Sequence, residues 1–237
     1  SKTITYCGCC ARLKTVTDQN GTLVTNTYND SGMLTQRDIA RGTGVVGTTQ
    51  ELFQVDGAYR RTRAENRDGA AVLSICQWFF DTLGQVDKEI QQVGSSAAKT
   101  LTATYDGDGN MLSCAYPGGR TIARVFDAAE RVTQVKQGTD VLAAYDWAGS
   151  RVARRTYLNG IKKEVTFDAL HRPTQIRHVN GLGQEKAKLA YAWTATHNKK
   201  YENRVHDGVG EVYRYDGIYE VDGVKFGVPS ADFAPTK

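Results

Sequence analysis

The stretch Tyr105-Asp106-Gly107-Asp108-Gly109-Asn110-Met111-Leu112 reads as the end of one strand, a tight turn and the start of the next. An aspartate at the first turn position accepts a hydrogen bond from the backbone two residues ahead. A glycine three residues after it takes positive φ at no steric cost, as a type I turn closed by a bulge requires. Working outward, the same arrangement returns along the chain. Aromatic–aspartate couples stand at Phe80-Asp81, Tyr105-Asp106, Phe126-Asp127, Tyr145-Asp146, Phe167-Asp168 and Tyr215-Asp216, with Tyr28-Asn29 a softer seventh. From 19 Tyr and Phe and 17 Asp, chance alone gives about 1.4 such couples, so an internal repeat is the simpler account. Glycine follows the aromatic by four residues at Gly32, Gly57, Gly84, Gly109 and Gly149, and an aliphatic or Met follows by six at Leu34, Val86, Met111, Val132 and Val221. Glu130 and His171 stand where glycine is expected. A β-carbon disfavours positive φ, more for Glu than for His, so those two turns are expected to differ in shape.

With Tyr6, Tyr28, Phe53, Phe80, Tyr105, Phe126, Tyr145, Phe167, Tyr191 and Tyr215 as anchors, the spacing runs from 19 to 27 residues. The mean, about 23, falls in the range of stacked repeat architectures. Spacing that drifts fits strands joined by loops of varying length. Midway between anchors come further turn dipeptides, at Asn20-Gly21, Pro117-Gly118-Gly119, Asn159-Gly160, Asn180-Gly181 and Asp207-Gly208. Each period therefore holds two strands and two turns. The intervening segments, among them 121–126, 132–136, 141–145, 152–157, 164–167 and 188–193, are rich in Val, Thr and aromatics, and Thr has 25 copies in all. Segments 58–66 and 85–100 carry some helical character, but their place in the register favours strands. Alternation is weak: in 151–158, one face holds Arg151, Ala153, Arg155 and Tyr157, and the other is no more apolar. Such half-polar faces suit a long sheet wetted on both sides rather than a tight sandwich.

Composition agrees. Leu, Ile, Val and Phe number 13, 8, 21 and 7 in 237 residues, a thin apolar supply close to the floor for a folded core. No run approaches a membrane-spanning length, and no basic-then-apolar start reads as a signal peptide. The net charge of +4 is too small to propose nucleic acid as a partner. Ser1 at the start and Lys237 at the end lead us to expect a piece of a longer protein.

The unit Tyr-Asp-x-x-Gly-x-Leu, best copied at 105–112, 80–86, 145–152 and 28–34, resembles the YD repeat of the bacterial RHS proteins and the teneurins. Segments 15–34 and 213–223 look like that family's joined half-repeats. The resemblance covers about ten repeats, best defined over 6–227, and leads us to expect a single array over 1–237. It implies an all-β fold: short antiparallel strands and hairpins forming a long curved, twisted sheet, an open part of an RHS-type shell. It implies a structural role in a large bacterial cell-surface or secreted protein, an extracellular setting, and the rest of the parent chain as partner. In larger relatives the shell encloses a polypeptide, often a toxin. The self-cleaving core segment of that family, with its Asp-Pro dipeptide, has no counterpart here, since no Asp precedes any of the four prolines. No autoproteolytic residue is carried over.

Other chemistry weighs less. Cys7, Cys9 and Cys10 form the one thiol cluster, with Cys76 and Cys114 elsewhere. Cys-x-Cys-Cys lacks the spacing of zinc pairs, which leaves a reduced cluster or a disulfide to a distant partner as the expected states. The recurring aspartates, one per turn beside a glycine, are what turn geometry needs, so they are expected to be structural rather than paired catalytic carboxylates. Asp106-Gly107-Asp108-Gly109 touches a calcium-loop pattern but lacks its remaining ligands. His171, His178, His197 and His206 are dispersed, no serine sits in a nucleophile elbow, and the Gly-rich 42–47 lacks the Lys-Ser/Thr of a phosphate loop. We expect no catalysis, cofactor or metal. Arg60, Arg61, Arg63, Lys162, Lys163, Lys199 and Lys200 are expected at solvated positions. A glycan or a cell surface is the alternative partner, with Trp147 and Trp193 as stacking candidates. Open strand edges predict self-association.

Overall fold

Thr, Val and aromatic residues fill every segment between the turn signals, and those segments are strands in the computed structural model, which describes residues 2–8 and 12–233. The chain divides into two units, Ser1–Thr121 and Ile122–Lys237.

The first unit contains β1 (Thr3–Tyr6), β2 (Leu13–Thr17), β3 (Leu23–Tyr28), β4 (Leu34–Ala40), β5 (Gln50–Val55), β6 (Arg61–Asp68), β7 (Ala71–Phe80), β8 (Val86–Val93), β9 (Lys99–Tyr105) and β10 (Met111–Ala115). Each pairs antiparallel with the next in chain order, a plain meander. The second contains β11 (Thr121–Phe126), β12 (Val132–Gln137), β13 (Asp140–Ala148), β14 (Arg151–Tyr157), β15 (Lys162–Phe167), β16 (Pro173–Val179), β17 (Glu185–Trp193), β18 (Lys199–Arg204), β19 (Val209–Tyr215) and β20 (Val221–Pro229), paired the same way. Segments 58–66 and 85–100 contribute to β6, β8 and β9 and form no helix. Two single-turn 3-10 helices, Val205–Asp207 and Ser230–Phe233, are the only helical elements among the described residues.

The apolar core is thin. Among the described residues, the buried apolar side chains are Cys114, Ile122, Ala143, Val179, Val228 and Phe233, and no large side chain is fully enclosed. Most strand residues are half-buried on both faces, so cross-strand pairs carry the stability rather than one packed layer. Polar groups take interior places where partners exist. Glu65, 4% exposed, lies between Arg63 (2.7 Å) and Arg67 on one face of β6. The Arg63 hydrogen bond leads in holding its carboxyl below the usual value, against the opposing effect of burial. Near the second unit's end, the ring of Phe233 lies 4.9 Å from that of Tyr201, and Ser230 donates its hydroxyl to Asn203 Oδ1 at 2.7 Å. Gly210 permits this fold-back, because a β-carbon there would lie 2.3 Å from the Glu202 carbonyl oxygen and 2.9 Å from the Phe233 ring.

Candidate functional site

The repeated element is a four-residue turn opened by an acceptor side chain. At Asp106 the backbone N–H bonds Asn110 O (3.1 Å) and Gly109 N–H bonds Asp106 O (3.3 Å). The carboxylate Oδ1 meanwhile accepts from the N–H groups of Asp108 (3.1 Å) and Asn110 (2.8 Å). Asp18, Asp56, Asp81, Asp127, Asp168 and Asp216 repeat this pattern, and Asn180 repeats it with its amide oxygen. Asn29 and Thr194 accept from the N–H four residues on. The turn N–H groups hold several of these acids below their usual range. For Asp56 and Asp106 the largest cause is the N–H four residues on, and for Asp127 it is the Arg131 side chain. For Asp168, burial pushes upward but is outweighed by Arg172.

The third residue after the acceptor has positive φ in every case. It is Gly21, Gly32, Gly84, Gly109 or Gly183 at some turns, and Tyr59, Glu130, His171, His197 or Tyr219 at the others. Those five are all the positive-φ non-glycine residues among the described ones. The expectation that the Glu130 and His171 turns differ in shape is therefore corrected: both close with the same backbone bonds as their glycine counterparts. The turn's own hydrogen bonds outweigh the steric cost of the β-carbon.

A bulge accompanies the turn. Tyr28 faces Leu34 while Thr27 faces Gln36, so Thr35 is the extra residue. The same skip follows at the corners ending in Val55, Phe80, Tyr105, Phe126, Trp147, Phe167, Trp193 and Tyr215. The skip lies in the strand beyond the turn, separate from the left-handed residue that closes it, and at Trp147 it follows a two-residue turn.

Three anchor readings are corrected. Tyr145-Asp146 is not a corner: β13 runs on to Ala148, Asp146 faces Arg154 across the strands, and a two-residue turn at Gly149-Ser150 reverses the chain. Trp147 takes the aromatic's place. Near Phe53 the turn opens two residues later, at Asp56, and Tyr59 rather than Gly57 has positive φ. At Tyr191 it likewise opens later, after Trp193, at Thr194.

The aromatic before each corner links one repeat to the one before it. Tyr28, Tyr105 and Tyr215 donate their hydroxyls to the carbonyls of Leu13, Val86 and Lys199, and Trp147 and Trp193 donate indole N–H to Val132 and Pro173, all at 2.8–2.9 Å. The accepting residue opens the strand after the preceding corner. Phe80 and Phe167 have no such donor, and each lies under an arginine instead, Arg60 at 4.2 Å and Arg151 at 5.9 Å. Asp-x-x-x-Arg units strengthen the link: Arg60, Arg131 and Arg172 bind Asp56, Asp127 and Asp168 in their own turn while lying over Phe80, Trp147 and Trp193 of the next. The two tryptophans are thus engaged at both ring and N–H. Spacing had marked the couples, but the arginine bridge was missed; its signal was Arg at the fourth position after Asp56, Asp127 and Asp168.

Of the thiols, Cys9 and Cys10 lie outside the described residues. Cys7 donates its backbone N–H to Arg12 O at 2.8 Å. Cys114 is buried, and Cys76, 3.4 Å from Glu89 Oε1, is pushed up to about 11 by burial and then by that carboxylate. Among the described residues no group of three or more His, Cys, Asp and Glu side chains converges as a metal site. No described helix is long and apolar enough to cross a membrane.

No protein-family model and no curated protein matches the chain. Solved structures do. A structure titled TcdB2-TccC3-TEV aligns over 93% of this chain with a TM-score of 0.70 and 13% identity. One of TcdB2-TccC3 aligns over 89% with a TM-score of 0.68 and 14% identity, and the Photorhabdus luminescens Tc holotoxin pore, carrying a TccC3 mutation, over 90% with a TM-score of 0.67 and 14% identity. The chain spans about 12% of the length of each of these solved chains. At such identity the likeness is one of fold, and these toxin-complex structures contain RHS/YD-repeat shells. The chain has the fold of a segment of such a shell, the architecture that its spaced aromatic–aspartate couples resemble.

Proposed function

We propose that this chain is a non-catalytic wall segment of a large secreted or cell-surface protein, and that its aspartate turns and arginine–aromatic bridges hold successive hairpins in register. The observation that carries this reading is how the turn carboxylates are used. Each directs one oxygen at the N–H groups of its own turn, and in the Asp-x-x-x-Arg units the other oxygen is taken by arginine. A general acid or base needs a carboxylate facing a substrate; these face their own backbone. The neighbours in fold are named as toxin complexes, which supports a place within a larger secreted assembly. The chain's partner is then the remainder of its parent, one array over 1–237, with self-association through strand edges as a consequence of isolating it.

The test is to replace the turn acids one at a time by alanine and measure unfolding together with turnover on a panel of glycoside, ester and peptide substrates. Architectural acids lower the unfolding midpoint, and no substrate is consumed. Turnover abolished by Asp168→Asn at unchanged stability would overturn the reading. A glycan array on the same preparation addresses the adhesion alternative: salt-resistant binding to one sugar class would favour it.

A further inference from the structure

The two faces of β13–β16 treat charge in opposite ways. On one, Asp146, Arg154, Glu164 and Arg177 stand directly opposite one another on successive strands. They close a ladder of ion pairs: Asp146–Arg154 at 2.5 Å, Glu164–Arg177 at 3.1 Å and Arg177–Glu185 at 2.8 Å. One residue along each strand, on the other face, the row reads Tyr145, Arg155, Lys163 and His178. Its basic groups stand on adjacent strands about 5 Å apart. Among the described residues none of the three has a carboxylate partner within ion-pair distance, and neither has Arg124, on the same face of β11. Like charges directly opposite one another on a sheet are destabilising. On the neighbouring face the directly opposed like pair, Arg177 and Lys188, includes an arginine held by both Glu164 and Glu185, whereas Arg155 and Lys163 have no such carboxylates among the described residues.

Two further features belong to that face. Arg155 lies 5.7 Å from the ring of Tyr145 and 5.4 Å from that of Tyr157, so its guanidinium is oriented by rings and not by an acid. Its Nε, and Nη1 of Arg124, are buried without a protein acceptor, an arrangement that calls for an explanation. Beside the basic row runs an aliphatic one, in which Val165 faces Ile176 and Ile176 faces Leu189.

We propose that this face of the second unit docks an acidic polypeptide segment that also carries apolar side chains. Carboxylates would engage Arg155, Lys163 and His178, and apolar groups would cover Val165, Ile176 and Leu189. Charge complementarity argues for the acidic component. The adjoining aliphatic row argues for a polypeptide over a purely polar polyanion, which has nothing to place there.

The probe is a fluorescent synthetic peptide alternating glutamate and leucine, followed by anisotropy against the full chain. Its glutamine–leucine counterpart, polyglutamate and heparin serve as comparisons. The glutamate–leucine peptide is expected to bind, to bind more tightly than polyglutamate, and to weaken as salt rises. The Arg155→Gln/Lys163→Gln double variant should lose about tenfold in affinity or more, as expected when charge-assisted contacts are removed. Lys136→Gln/Lys188→Gln, which removes equal charge from the opposite face, should lose little. The single Lys163→Gln variant, checked by its melting curve, gives a smaller loss in the same direction and keeps the test open if the double variant does not fold. No binding, equal loss in both double variants, or heparin binding more tightly with the same residue dependence would each overturn the proposal.

Discussion

Glu130 and Gly183 occupy the same place in two copies of one turn, so exchanging their residue types isolates the cost of a β-carbon at positive φ. Glu130 has φ 58° and Gly183 has φ 82°. Glu130 is exposed and forms no ion pair among the described residues, so Glu130→Gly removes little but the β-carbon. A β-carbon added at Gly183 meets nothing within 4 Å, so Gly183→Ala introduces backbone strain without a clash. The left-handed conformation costs a non-glycine residue roughly 1–2 kcal/mol, and the extra freedom of glycine in the unfolded chain offsets roughly 0.5–1 kcal/mol of that. Glu130→Gly should therefore stabilise by about 0.5–1 kcal/mol, and Gly183→Ala should destabilise by about the same amount. Both are read as shifts in the urea midpoint at constant slope, or as about 1–4 °C in melting temperature of opposite sign. Glu130→Ala, which keeps the β-carbon, should change little. A destabilised Glu130→Gly chain, or a neutral Gly183→Ala, would refute the idea that the turn's hydrogen bonds impose a strained backbone on Glu130.

Further outcomes follow from the same geometry. Tyr105→Phe removes the bond to the Val86 carbonyl (2.8 Å) and should cost about 1 kcal/mol in urea unfolding, whereas Tyr116→Phe, at a position with no such bond among the described residues, should be near neutral. Asp56, Asp106, Asp127 and Asp168 are held below the usual carboxylate value in the folded chain, so their contribution is complete at neutral pH. It is lost as pH falls below about 4 through those lowered values; the acid limb of a stability–pH curve should flatten when the four are changed to Asn, which keeps the Oδ1 acceptor. Cys76 is raised to about 11, so peptide mapping after iodoacetamide at pH near 8 should find it slow to alkylate in the folded chain. Glu89→Gln, by removing the second cause of that shift, should speed the reaction; an unchanged rate would assign the protection to burial alone.

The strand–turn alternation was readable from local chemistry, because a turn that satisfies its own N–H groups with its first side chain needs nothing from the rest of the chain. Asp81, Asp106, Asp127, Asp168 and Asp216 were legible for that reason, and the thin, two-sided character of the sheet followed from the scarcity of large aliphatics. Tyr145-Asp146 shows the limit: the same dipeptide lies within a strand because Arg154 stands opposite Asp146 and Gly149-Ser150 offers a shorter reversal. Glu130 and His171 show a second limit, since local sterics predicted a different turn and the closing hydrogen bonds prevailed. The arginines lying over the next repeat's ring, and the unpaired row of Arg155, Lys163 and His178, depend on which residues the register places opposite one another. Register is a property of paired strands, and one bulge reverses which face a side chain occupies. Sequence determined the repeating unit and its turns; tertiary pairing alone decided which charges meet a partner and which are left without one.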